Sequence, residues 1–287
     1  MIPPRLRRLL RGATAVVFFL LLAGATYQGV ATAIERRQFP HPGRLVGIGD
    51  RQLHINCSGS GTPTVVLEAP AGGMSAAWGW VQPAVAQVTR VCSYDRAGLG
   101  WSDAGNQPYD PSAVPDQLHA LLEGAEESRP YILVGHSLGA AFASVYASRF
   151  PAEVAGLVLI DLPAPATGAG EARLRLVRAS PWLARTGILR VTQVLTESAQ
   201  GLPDASAGAV SAFLNRPDHL TRAARELSGW SDTTAMAAAA PPDPSIRVVA
   251  IAAAASGPFS LIAADAEAEK VSAAIVNVVA EVRTGGV

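Results

Sequence analysis

Cysteine is scarce in this chain of 287 residues. There are two, Cys57 and Cys92, and they lack the paired spacing of a zinc site. Charge of one sign is missing too: Lys plus Arg and Asp plus Glu both number 23. The chain therefore carries no net field that would favour nucleic acid as a partner. Histidine is thin, five in all, and none follows His219. Neither composition nor spacing implies a metal or other cofactor. What remains is an Ala-rich, apolar chain, long enough for one large α/β domain or two small ones.

The longest uncharged run lies near the N-terminus. Arg5, Arg7, Arg8 and Arg11 precede Gly12–Ile34, and Glu35, Arg36 and Arg37 close it. As a helix this run would extend about 34 Å, close to the roughly 30 Å hydrocarbon core of a bilayer. Two expectations follow. One is a membrane anchor spanning residues 1–37, with the arginines on the cytoplasmic side and the rest of the chain outside. The other is a cleaved signal peptide, with Ala15–Leu22 as its apolar core, Ala23-Gly24-Ala25 as its small-residue site and secretion from Thr26 onward.

The stretch Tyr131-Ile-Leu-Val-Gly135-His136-Ser137-Leu138-Gly139 carries the chemistry. An apolar strand pattern runs into Gly-x-Ser-x-Gly, and a small-residue helical pattern follows, the order of a nucleophile elbow. Such a turn holds the serine in a strained backbone conformation, and Gly135 and Gly139 let strand and helix approach closely. Ser137 would then stand at a helix N-terminus, whose free amides favour a developing oxyanion.

The chain before it reads as short strands. After the Pro/Gly linker around His41, strand patterns occupy 44–48, 52–57, 64–67 and 90–94, with a Gly49-Asp50 hairpin turn between the first two. His54 falls on the second strand as a half-buried residue. A helix is expected from Ser75 to about Val88. Another runs from Pro111 to Leu122, with His119 on its surface.

Three motifs now converge: Pro63-Thr-Val-Val-Leu-Glu-Ala69 with its Gly72-Gly73 loop, Tyr94-Asp-Arg-Ala-Gly-Leu-Gly-Trp-Ser-Asp103, and Gly135-His-Ser-Leu-Gly139. With them the chain resembles the α/β-hydrolases, of the exported bacterial sort with an N-terminal membrane segment. The resemblance is good from Gly43 to Asp161 and fades beyond. It implies a mostly parallel sheet flanked by helices, a helical cap, and Ser137 as nucleophile. Oxyanion amides map onto Ala71 and Leu138, and the acid onto Asp161, with Asp265 a weaker candidate. Asp95 and Arg96 would pair at the site mouth, and His136 would be a packing or hydrogen-bonding residue and not the base. Dehalogenase and epoxide-hydrolase chemistry is disfavoured, because those relatives place Asp where this chain has Ser137. The fold also sets the second strand beside the fourth, which would bring Cys57 and Cys92 within disulfide range.

The expected division is 38–162 for the N-terminal part of the core, 163–243 for the cap and 244–287 for the rest of the core. Cap residues such as Trp182, Leu183, Ile188, Leu189 and Val194 would line an acyl pocket or pack between cap helices. His219 in the cap would sit at the surface or in packing. After one strand at 246–252 there is at most a weak second one at 259–264, and then a helix at 270–282. Roughly one βα unit and the family's C-terminal histidine are missing. Pro258, in Ser256-Gly-Pro-Phe259, stands where the family has that histidine. Two functional readings follow. One is a serine hydrolase of carboxylic esters or related small acyl compounds, tethered to a membrane, with no cofactor and with His219 as the least implausible base. The other is a catalytically impaired hydrolase-fold protein or binding module.

Overall fold

A computed structural model describes residues 3–106, 108–163, 171–253 and 261–285. Among these, seven strands form one sheet: β1 (Arg44–Ile48), β2 (Arg51–Ser58), β3 (Thr64–Glu68), β4 (Val91–Tyr94), β5 (Tyr131–His136), β6 (Val154–Ile160) and β7 (Arg247–Ile251). Their order is β1-β2-β4-β3-β5-β6-β7. The β1/β2 and β2/β4 pairs are antiparallel and the other four parallel. In β3 and β5 every residue is buried, the mark of strands covered on both faces.

Strand alternation sorts these residues between two cores. Val66, Leu133, Tyr94 and Leu157 face one side, with Leu118 and Leu121 of α3 (Val114–Gly124) and Tyr146 of α4 (Leu138–Arg149). Val65, Leu67, Ile132 and Val134 face the other. There they meet α2 (Val81–Val85) and the last helix, α10 (Asp265–Arg283). Val271, Ile275, Val278 and Val279 of α10 recur at helical spacing and are all buried. Burying each is worth roughly 1.5–3 kcal/mol.

Between β6 and β7 the described residues form five α-helices: α5 (Glu171–Arg185), α6 (Ile188–Thr192), α7 (Asp204–Phe213), α8 (Pro217–Ser228) and α9 (Trp230–Ala239). They are called the cap below. Their own apolar cluster, with Leu189, Leu195, Val210, Phe213 and Leu220, also takes in Met74 and Leu99 from core loops. Leu189 is buried and Leu183 half-buried, whereas Trp182, Ile188 and Val194 are exposed and line no interior pocket. The helix expected at 75–88 is broken in two, a 3-10 turn at Ser75–Trp78 and then α2. Residues 261–264 form no strand, and α10 begins five residues before the expected start. Pro258 lies outside the described residues.

Cys57 and Cys92 face each other in the β2/β4 register and form a disulfide. The N-terminal run is one helix, α1 (Pro4–Gln38), whose apolar window is wholly exposed. Its C-terminal part, from Gly24 onward, packs on the cap. Gln28 is buried and donates to the Asn215 carbonyl at 2.7 Å. Arg190 of α6 binds Gln28 Oε1 at 3.1 Å and ion-pairs with Glu35.

Candidate active site

The elbow is built by close approach. A Cβ on Gly135 would lie 2.5 Å from Ala140 Cα, and one on Gly139 would lie 2.5 Å from the Glu68 and Ala69 carbonyls. No larger side chain fits either place. Between them Ser137 has φ 53° and ψ −122°, a conformation costly to any residue but glycine and seldom kept without a use. Its amide donates to the Ile160 carbonyl at 2.8 Å, which ties the turn to the end of β6. Ser137 is half-buried, and Leu138 opens α4. The Leu138 amide is one of the first-turn donors for which a helix provides no acceptor.

Ala71, mapped as the other oxyanion donor, is brought to the same place. It shares one buried apolar cluster with Leu138, Phe142 and Val114 of the core and Val177, Ala224 and Leu227 of the cap. The loop after β3 is held from beneath. Arg96 donates to the Ala69 carbonyl and the Pro70 carbonyl, both at 2.7 Å, and pairs with Glu68. Arg96 also meets Glu226 of α8 at 2.8 Å, and Glu226 Oε2 accepts from the Gly72 amide at 2.9 Å. Gly72 itself has φ 66°, which favours glycine there. A cap carboxylate thus fixes the residue next to Ala71. Burial opposes ionisation of Glu226, but Arg96, Arg222 and the Gly72 amide outweigh it and hold its pKa below the usual carboxylate range. For Glu68 burial prevails and its pKa is raised.

Asp95 and Arg96, expected as partners, point apart. Asp95 is wholly buried and accepts from His54 Nδ1 at 3.0 Å and from the amides of Ser75 and Trp101 at 2.6 and 2.9 Å. Burial raises its pKa, but those three donors more than reverse this and the net shift is downward. His54 is fully buried, not half-buried, because its Nε2 accepts from the Gly43 amide while Nδ1 faces Asp95. Ser75 Oγ approaches the same Nδ1 at 3.3 Å. With the carboxylate and the hydroxyl on one ring nitrogen, this trio lacks the relay geometry of a triad.

His219, His119 and His41 are similarly occupied. His219 is neither at the surface nor free. Its Nδ1 accepts from the Gly100 amide and its Nε2 donates to the Gly72 carbonyl, both at 3.1 Å. Burial drives its pKa down to about 4. His119, expected at the surface, is half-buried, stacks on Phe150 and faces Glu153. His41 is exposed, with Nδ1 on the Gly43 carbonyl. His136 is buried beside the nucleophile, and its Nε2 lies 3.6 Å from Asp161 Oδ2, an ion-pair distance too long for a hydrogen bond. Asp161 has φ 49° and accepts from the Ala253 amide at 3.0 Å. His136 lowers its pKa most; burial opposes this, and the Ala253 amide adds to the lowering, so the net shift is downward. Asp265 opens α10 as an acid in the first turn. Among the described residues no side chain hydrogen-bonds Ser137 Oγ, and His136 Nε2 is buried without a hydrogen-bond partner.

Residue by residue, then, Ser137, Leu138 and Ala71 come together, and Asp161 stands beside His136. The residues that spacing did not reveal are Glu68 and Glu226. The signal for Glu226 was present: a carboxylate on the apolar face of α8, between Ala223 and Leu227.

A cleft of about 910 Å³ runs between Gly105, Asn106, Pro108 and Tyr109 of the core and α5 and α8 of the cap. Its walls include Tyr109 and Ala224, which also belong to or pack on the cluster around Ala71 and Leu138. Trp182 and Arg185 form part of its rim.

Residues 63–199 match the family model for the α/β-hydrolase fold, and the mostly parallel seven-stranded sheet with flanking helices has that fold. The chain is 38% identical over 114 residues to an uncharacterized protein of Schizosaccharomyces pombe, across 39% of this chain and 21% of that one. It is 31% identical over 121 residues to the 2-hydroxy-6-oxo-2,4-heptadienoate hydrolase of Pseudomonas putida, across 41% and 44%. The match spans less than half of either relative. The structure of Cfl2 from Burkholderia cenocepacia superposes with a TM-score of 0.61 at 19% identity, over 82% of this chain and 95% of that one. At that identity the likeness speaks for the fold.

Proposed function

We propose that this chain is a serine-nucleophile hydrolase of carboxylic esters or related acyl compounds. Ser137 attacks the acyl carbon, and the amides of Ala71 and Leu138 receive the negative charge on the carbonyl oxygen. Asp161 is the acidic member of the site, kept ionised beside His136. The observation that carries this reading is the strained Ser137 turn, seated where Leu138 begins α4 and Ala71 joins it under the cap. The wall of Val177, Leu227 and Phe142 suits an apolar acyl chain. Without an imidazole on Ser137 Oγ, proton removal falls to solvent. General-base assistance is worth typically about 10²–10⁴-fold, so turnover is slow. Labelling by a fluorophosphonate probe tests the nucleophile. Failure to label under conditions that label a control esterase would refute it.

The impaired-enzyme reading has one observation in its favour: both ring nitrogens of His219 are spent on backbone groups. Ligand binding in the cleft with no ester turnover at any pH would select it.

We further infer that α1 anchors the chain in a membrane with the folded part outside the cytoplasm. Support comes from its exposed apolar window, from Arg5, Arg7, Arg8 and Arg11 at its start, and from the Cys57–Cys92 disulfide, which persists in oxidising compartments. Recovery of the full-length chain in the alkaline-soluble fraction of membranes would overturn the anchor.

A further inference from the structure

We propose that the cap rim formed by Trp182, Arg185, Ile188 and Val191 dips into the outer leaflet of the bilayer that α1 crosses. The inference rests on the anchor reading above. Arg11 is the last charge before the apolar run and belongs at the inner headgroups. Crossing about 30 Å of hydrocarbon from there takes about 20 residues of helix, to the neighbourhood of Ala31. Yet the cap already touches α1 at Gly24. A Cβ on Gly24 would collide with the Thr186 carbonyl, and Gly187 lies against the Gly24 carbonyl and the Tyr27 ring. The contact continues through Gln28–Asn215 and Arg190–Glu35, so the joint is fixed along the length of α1 beyond Gly24. The cap contact and the membrane-crossing stretch therefore overlap by about seven residues, or roughly 10 Å of helix. Tilting α1 lengthens the overlap, because more residues are then needed to cross.

The surface at that level has the composition the overlap requires. Trp182 and Val191 are each 72% exposed and Ile188 is 47% exposed. Arg185 stacks on Trp182, its guanidinium 4.9 Å from the ring centroid. An indole with a long cationic side chain that can reach back to the phosphates suits the boundary between acyl chains and headgroups. Trp182 and Arg185 also form the rim of the cleft, so the cleft opens at the bilayer surface.

The test uses the full chain in vesicles, with an environment-sensitive NBD dye on one engineered cysteine at a time. Both native cysteines are in the disulfide. Ile188→Cys reports the rim, Phe19→Cys the span and Glu123→Cys, exposed on α3, the aqueous control. The expected result is loss of fluorescence at 188 with shallow nitroxide lipid and shielding from iodide, loss at 19 with deep nitroxide lipid, and quenching by iodide alone at 123. If 19 is quenched by deep nitroxide while 188 behaves like 123, the rim does not enter the leaflet and the anchor still stands. If 19 is not quenched by lipid, the anchor fails and this inference with it.

Discussion

Arg96 donates through Nε to Glu226 Oε1 and through Nη2 to Glu226 Oε2, each at 2.8 Å, with both side chains withdrawn from solvent. This pair joins the loop after β4 to cap helix α8. Through the Gly72 amide and the Ala69 and Pro70 carbonyls it also fixes the loop that carries Ala71. The cap is thereby part of the site's frame.

Arg96→Met leaves Glu68 and Glu226 buried without their cation. Removing one partner of a buried pair costs about 3–5 kcal/mol. Urea unfolding should show a loss of that order. A loss below 1 kcal/mol would mean the network contributes little.

His219 should give the fold a pH dependence of definite sign. Its pKa falls from an ordinary 6.5 to about 4 on folding. Between those values the unfolded chain binds a proton that the folded chain refuses, so stability is full above pH 6.5 and declines as pH falls towards 4. The decline amounts to about 3 kcal/mol. His219→Gln should flatten the stability profile in that window. An unchanged slope would show that the ring is not buried as a neutral group.

Much of this arrangement is legible in the sequence, for physical reasons that differ by element. The β1 bounds and the β3 and β5 runs follow from apolar pattern, and the elbow from a motif that steric closeness enforces at Gly135 and Gly139. The Cys57–Cys92 pairing followed from the strand order that the family resemblance implies. The failures share a cause. His54–Asp95 and Arg96–Glu226 are polar pairs whose members lie 41 and 130 residues apart, and local periodicity carries no trace of such pairings. The same applies to α1, where a local apolar count could not show that its C-terminal part packs on the cap.

The disulfide closes a segment with a sequence separation of 35. Chain entropy assigns such a loop about 3–4 kcal/mol. Replacing both cysteines by serine should lower stability by that amount and leave fluorophosphonate reactivity in place below the new melting temperature, because β2 and β4 lie at the far side of β3 from the elbow. Calorimetry of the double variant decides it.

The missing imidazole on Ser137 Oγ predicts an unusual rate profile. Ester hydrolysis should rise about tenfold per pH unit from 6 to 9 with no plateau near 7, as hydroxide replaces a side-chain base. Added imidazole should accelerate it in proportion to concentration. A sigmoid with a midpoint near neutrality would mean that a histidine does act on Ser137.

The nucleophile is tested most directly by treating the purified full chain with a fluorophosphonate and locating the adduct by peptide mass spectrometry. The account predicts a single adduct on Ser137 that is absent from Ser137→Ala. An unlabelled wild-type chain, or an adduct that persists in Ser137→Ala, would contradict it.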